Sequence, residues 1–143
     1  MFTLSEEHIM LRDAAKAFAA DRMPVAHLRA LRDGANPEGF DRGAWAEMAA
    51  LGWCGVLVDE AHGGVGLGHR AMGLILEECG KTLAPSPLLS TGLIGGAALS
   101  LSGDTDSQAQ WAPKIAAGEV IFALAVDEHA HHAPSRTAAA VRN

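Results

Sequence analysis

The sequence predicts a mainly α chain: a bundle of helices followed by the first strand or strands of a β-domain that the chain does not complete. Three observations predict it. Apolar residues recur at helical spacing in segments opened by capping residues. Clusters of glycine and proline separate those segments. Near residue 120 the pattern changes to an unbroken run of β-formers.

Each helix can be argued from its ends. Ser5 is suited to accept a backbone N–H, Glu6 and Glu7 oppose the positive end of the dipole, and Leu4 can staple to Ile9. Leu11, Ala15 and Phe18 then line one face, and Pro24, which has no N–H to give, stops the helix and restricts Met23. Residues 33–37 read as a loop. A second, short helix opens at Asp41 with Phe40 and Trp45 in staple positions and closes before Gly52, a usual C′ residue. The stretch 53–58 is extended or helical, since so few residues give periodicity nothing to choose with.

A third helix is expected at about 69–82, with Met72, Leu76 and Cys79 on its apolar side and Glu77 and Lys81 four apart on its polar side. A fourth starts at Ser86, with Pro87 at the first helical position, and ends at Gly103. Its middle, 93–99, is almost wholly apolar or small, which predicts burial on nearly all sides. Thr105-Asp106-Ser107-Gln108 has the form of a capping box, and Pro113 marks the expected end of the helix it opens. Residues 120–126 then read as a buried strand, with a polar histidine-rich loop after it and a second strand at 138–141. A strand needs partners for its N–H and C=O groups, so this reading implies either a fragment or a strand completed by another chain.

Composition narrows the function classes. The chain has 143 residues, 49% hydrophobic and 20% charged, enough for one sizeable core. Its 11 basic against 17 acidic residues, net charge −6, argue against a surface that tracks nucleic-acid phosphates. The longest apolar run, 88–101, is broken by Ser90, Thr91 and three glycines and is no transmembrane segment. The first seven residues lack a basic region followed by an apolar stretch, so no secretion signal is expected. Cys54 and Cys79 sit in apolar surroundings and read as small buried hydrophobes in a reducing compartment, with a single bridge as the alternative.

Other motifs take plain readings. Gly63-Gly64-Val65-Gly66-Leu67-Gly68 precedes a helix but lacks Gly-Lys-Ser/Thr and departs from G-x-G-x-x-G, so a structural turn is favoured over a phosphate loop. His129, His131 and His132 lie in a loop without carboxylate or cysteine at ligand spacing, so no metal site is assigned. Trp45, Trp53 and Trp111 read as core or interface anchors.

Several landmarks, in order, resemble the acyl-CoA dehydrogenase family. They are Leu4-Ser5-Glu6-Glu7 with Leu11-Arg12-Asp13 and Phe18, then Pro24, then Leu51-Gly52-Trp53 leading to Glu60-Ala61-His62-Gly63-Gly64-Val65-Gly66. Glu77-Glu78-Cys79-Gly80, Ser102-Gly103-Asp104-Thr105 and Pro113-Lys114-Ile115-Ala116-Ala117-Gly118-Glu119 resemble its later landmarks. The resemblance implies a helical bundle, a β-domain and a second bundle, binding FAD and an acyl-CoA thioester. Residues 1–118 would then be the N-terminal helical domain and 119–143 the incomplete beginning of the β (middle) domain.

In that family a carboxylate of the later bundle removes the proton α to the thioester while a hydride leaves the β-carbon for the flavin. That base would lie beyond Asn143, so no catalytic residue is assigned here, despite Glu77, Glu78 and Glu128. The resemblance assigns Leu124, Ala125, Val126 and Asp127 to the flavin side and Ser86, Leu89, Ser90 and Ile94 to the acyl pocket. Ser90 and Ile94, four apart, share a helix face.

Departures fall on the flavin segment. Asp127 stands where threonine is usual, His129 where proline is usual, and the Gly-Ser-Asp turn is missing from 129–135. A carboxylate there opposes build-up of negative charge on the flavin unless it is protonated, turned away or paired with Arg136. The resulting expectation is the N-terminal part of a cytoplasmic, FAD-dependent acyl-CoA dehydrogenase of fatty acid metabolism, inactive by itself. An electron-transfer protein would be its acceptor, within a homo- or hetero-oligomer, dimer or tetramer. The alternatives are a non-catalytic subunit that completes a partner dehydrogenase, and a free-standing helical binding module.

Overall fold

The computed structural model describes residues 3–128 together with His132 and Ser135. Ser5 caps the first helix, its hydroxyl accepting the His8 N–H at 3.3 Å, and α1 runs Glu6–Arg22 with both glutamates in its first turn. Pro24 ends it as expected. It also serves as N-cap of a helix the pattern did not reveal, α2 (Val25–Asp33), which has no fully buried residue and no side-chain cap. Val25, Leu28 and Leu31 recur at helical spacing, but the nine-residue segment follows directly on the proline and lacks a capping side chain, so nothing announces it as a new helix, and the loop begins at Gly34 instead of Asp33.

Asp41 opens α3 (Arg42–Ala50) by accepting the N–H groups of Gly43 and Ala44 at 2.6 and 3.1 Å. Trp45 and Met48 fall on its buried face. Gly52, at φ 78°, turns the chain out of the helix into a short 3₁₀ turn at Trp53–Gly55, which decides the open question over 53–58 in favour of helical turns. A second 3₁₀ turn follows at Glu60–His62.

Among the described residues the most extensive packing between two elements is that of α1 on α4 (Gly68–Lys81). Ala71, Met72, Ile75 and Cys79 form the buried face of α4, with Leu76 half-buried beside them. The rings of Phe18 and Trp53 meet edge-on at 5.0 Å between centroids, joining α1 to the 3₁₀ turn in the same core. Glu78, expected to carry no special role, is 4% exposed and reaches Lys81 Nζ at 2.7 Å, while Glu77 stays in solvent at 3.2 Å from the same ammonium.

The fourth helix is two structures in series. A π-helix spans Leu89–Gly95 and passes directly into α5 (Gly96–Ser102), which ends at Gly103 with φ 68°. Burial on all sides is not found: Thr91, Gly92, Gly95 and Gly96 are buried, whereas Ala98 and Leu101 face solvent. Small residues here let neighbours approach on one side only.

The last helix, α6 (Thr105–Ala116), is capped by Asp104, not Thr105, with the N–H groups of Asp106 and Ser107 each at 3.1 Å from its carboxylate. Gln108, expected to close a capping box, instead donates to the Leu99 carbonyl at 2.8 Å and ties α6 to α5. Pro113 lies inside the helix. One lost N–H is outweighed there by the burial of Ala112, Ile115 and Ala116, which pack with Val58 in a second apolar cluster.

The expected strand at 120–126 is not formed; among the described residues there is no strand. A strand exists only through its ladder, and the Phe122 N–H is bound by a side chain, Thr91 Oγ1, where a neighbouring strand would offer a carbonyl. The second strand expected at 138–141 lies outside the described residues.

Candidate functional site

The π-helix Leu89–Gly95 carries most of the acyl-pocket expectation, and its sequence explains its geometry. Gly92 lies where a Cβ would meet Leu88 Cδ1 at 3.0 Å and Met72 Cε at 3.1 Å. At Gly95 a Cβ would stand 2.9 Å from Phe122 Cβ. Glycine is required at that crossing because only a bare Cα lets the later segment lie this close.

Thr91 is wholly buried and accepts the Phe122 N–H at 3.0 Å. The Phe122 ring then meets Trp111 edge-on at 5.9 Å, and Lys114 Nζ lies 4.8 Å over the Trp111 ring. Phe122 is thus fastened between the π-helix and α6. Of the expected tryptophan anchors, Trp45 and Trp53 are buried in the core and Trp111 is half-buried at this junction.

Of the residues expected at the acyl pocket, Leu89, Ser90 and Ile94 lie on the π-helix and Ser86 precedes it. Ser86, half-buried, stands 3.5 Å from the Leu88 N–H, and the Ser90 hydroxyl donates to the Pro87 carbonyl at 3.1 Å. Leu89 is 52% exposed, and Ile94 is half-buried one turn beyond Ser90. Of the residues expected beside the flavin, Leu124 is 61% exposed, Ala125 and Asp127 are exposed, and Val126 is half-buried. Phe122, two residues before Leu124, meets the π-helix at Thr91 and Gly95, the neighbours of Ser90 and Ile94 in sequence. Sequence reasoning placed Phe122 at the start of the segment that resembles the family's flavin-side stretch but missed Thr91 and the contact between the two; the available signal was a threonine in an apolar run, which must find a partner when buried.

The Asp127 carboxylate lies 2.7 Å from His132 Nδ1. Arg136, pairing with which is one of the three alternatives for Asp127, lies outside the described residues, as do His129 and His131. Cys54 and Cys79 are both buried and unbridged. Burial pushes the Cys54 thiol up to about 12, and burial followed by the Glu78 charge pushes Cys79 up to about 11. Neither is a nucleophile at neutral pH.

The glycine-rich loop folds back on the chain before it. The N–H groups of Val65, Gly66 and Gly68 are bonded to the carbonyls of Gly55, Val58 and Val56 at 2.9, 3.0 and 3.2 Å. Those donors are occupied, so the loop is a structural turn and not a phosphate cradle. Gly64 is indispensable to it, since a Cβ there would lie 2.0 Å from the Val58 carbonyl oxygen. Between this loop and α5–α6 is an open cavity of about 460 Å³, bordered by Val58, His62, His69, Leu99, Gln108 and Ala112. It contains none of the residues expected to touch substrate or cofactor. Among the described residues no three His, Cys, Asp or Glu side chains are grouped to hold a metal, and no helix is long and apolar enough to cross a membrane.

The model of the acyl-CoA dehydrogenase N-terminal domain matches residues 5–119. The chain belongs to the acyl-CoA dehydrogenase family. It is 35% identical over 120 residues to a (2S)-methylsuccinyl-CoA dehydrogenase of Cereibacter sphaeroides, covering 82% of this chain and 21% of that protein. The acyl-CoA dehydrogenase IpdE2 of Mycobacterium tuberculosis is 32% identical over 126 residues, covering 87% of this chain and 38% of that one. A solved variant of the Tcur3481-Tcur3483 steroid ACAD superposes with a TM-score of 0.76 at 32% identity, covering 88% of this chain and 34% of that chain. The chain therefore spans about a fifth to two fifths of the length of these relatives, and its helices are those of the acyl-CoA dehydrogenase N-terminal domain.

Proposed function

We propose that this chain is the N-terminal part of an FAD-dependent acyl-CoA dehydrogenase that catalyses α,β-dehydrogenation of an acyl-CoA thioester. Residues 1–118 form its helical domain and 119–143 the beginning of its β-domain. The observation that supports this best is the junction at Thr91 and Phe122, which holds the acyl-side element against the flavin-side segment.

The residues present fit one wall of such a site. Leu89 on the π-helix and Leu124 and Ala125 on the segment after Phe122 are all exposed, so apolar side chains are available to a ligand on both elements that meet at the junction. Bound FAD would supply the hydride acceptor. This chain's own residues bind and exclude water: Leu89 and Ile94 line the acyl chain, Ser86 and Ser90 border it, and Leu124 to Asp127 flank the flavin. The base belongs to another part of the protein, and no carboxylate here is assigned to proton transfer. The electron acceptor is an electron-transfer protein, and the assembly is a homo- or hetero-oligomer.

A second reading, a non-catalytic subunit completing a partner dehydrogenase, is favoured by Asp127 standing where the family has threonine. The pairing of Asp127 with His132 at 2.7 Å lessens that objection, because a cation beside the carboxylate offsets its effect on a nearby flavin when the imidazole is protonated.

The test is the absorption spectrum and subunit content of the protein expressed from its complete coding region. A yellow protein bleached by acyl-CoA without a second chain supports the first reading. A colourless chain that copurifies with a flavoprotein dehydrogenase supports the second and overturns the first.

A further inference from the structure

Positions adjacent in a helix point to neighbouring faces. Along the π-helix, Ser90 and Ile94 stand on one face while Thr91 and Gly95, each one residue later, stand on the next. The second face is the one that receives Phe122: Thr91 Oγ1 accepts its N–H at 3.0 Å, and Gly95 offers no Cβ to obstruct it. Phe122 is in turn braced from the far side by Trp111 of α6. Two rows of the same turn therefore face two different tasks, and the distance between them is set by the helix.

We infer that Thr91 and Gly95 are positioning residues: they lock the segment 122–127 in register against the π-helix and so set the depth of the acyl pocket relative to the flavin. The inference rests on the functional reading above. Its physical basis is that Thr91, wholly buried, has no solvent to compensate a lost partner, and the Phe122 amide, half-buried, has the threonine hydroxyl as its acceptor. Loss of either group frees the segment to slide by a fraction of a residue, which moves Leu124 to Asp127 relative to Ser90 and Ile94. Neither Thr91 nor Gly95 touches substrate in this scheme.

The test compares Thr91→Val, Thr91→Ser and Gly95→Ala in the protein expressed from its complete coding region, with rates expressed per bound flavin so that a misfolded fraction is not counted. Thr91→Val is nearly isosteric and removes the acceptor. It is expected to raise KM for the preferred acyl-CoA by up to about fivefold, because one lost internal hydrogen bond bounds how far the fastened arrangement can be depopulated, and to flatten the dependence of kcat/KM on acyl-chain length. Thr91→Ser restores the acceptor and is expected to restore both within about twofold. Gly95→Ala displaces Phe122 and is expected to change the chain-length profile in the same sense. Amide hydrogen exchange at Phe122 is expected to quicken in Thr91→Val and not in Thr91→Ser.

If the parent enzyme is bleached by acyl-CoA yet Thr91→Val keeps its KM and chain-length profile, the positioning role is overturned while the functional reading stands. A parent protein with no flavin band and no response to acyl-CoA overturns the functional reading, and the positioning role with it. A profile altered equally in Thr91→Val and Thr91→Ser also overturns the inference, since serine keeps the hydrogen bond.

Discussion

The indole N–H of Trp45 donates to the Gly118 carbonyl at 2.9 Å, joining α3 to the chain just after α6 across 73 residues of sequence. Gly118 stands at φ 68°, and a Cβ on it would lie 2.8 Å from Ala49 Cβ. This clasp fixes where the segment 119–128 leaves the bundle, and hence where it meets the π-helix.

Trp45→Phe keeps most of the ring in the core but leaves the Gly118 carbonyl without its partner. A loss of about 1–2 kcal/mol of unfolding free energy is expected. Gly118→Ala is expected to cost more, because a strained φ and a contact below van der Waals distance coincide there. Denaturant titration of both variants checks this. A Gly118→Ala protein as stable as the parent would contradict the close approach.

Leu83 occupies the left-handed region at φ 55° as the C′ residue of α4, with its N–H on the Gly80 carbonyl and the Ala84 N–H on that of Cys79. Its side chain is 59% exposed, so little packing would be lost by removing it. Leu83→Gly is expected to stabilise the protein by about 1 kcal/mol, raising Tm by roughly 3 °C, while Leu83→Ala leaves the strain in place and gives no such gain. Thermal unfolding of the pair decides it.

Asp41 holds the start of α3, and its carboxyl is kept below the usual carboxylate range chiefly by the Ala44 N–H, with the Gly43 N–H adding to it against the opposing effect of burial. Asp41→Ala is expected to cost about 1 kcal/mol. A group with a lowered folded-state pKa stabilises above its unfolded value and loses that contribution as pH falls through the folded one. The stability difference between the parent and Asp41→Asn should therefore be constant near neutrality and shrink below about pH 4. Unfolding measured across that range is the check; a difference that does not shrink as pH falls would contradict the assignment.

The two thiols predict the opposite dependence. Raised to about 12 and about 11 in the folded chain, Cys54 and Cys79 stay protonated while the unfolded chain ionises. Their contribution is fully present below about pH 8.5 and is lost as pH rises toward those values. A Cys54→Ala, Cys79→Ala protein should show a flatter decline in stability above pH 9. Native protein at pH 8 should react with a thiol reagent only as fast as it opens.

Local chemistry was legible in the sequence wherever a residue acts on its own neighbourhood. Ser5 and Asp41 cap helices, Gly52 and Gly103 end them, and the face of Leu11, Ala15 and Phe18 follows from helical periodicity alone. The order of landmarks from Leu4 to Glu119 was enough to point to the family, because each landmark is a cap, a turn or a packing motif carried by adjacent residues.

Tertiary structure alone decided the rest. Pro113 continues a helix because Ala112, Ile115 and Ala116 are buried around it, and Gln108 forsakes its capping role for the Leu99 carbonyl. The run 120–126 has the composition of a strand, but a strand is a relation between two segments, and what the fold offers Phe122 is the hydroxyl of Thr91. The pairings that shape the candidate site join residues 31 and 73 positions apart, and local propensity and periodicity carry no record of such distances.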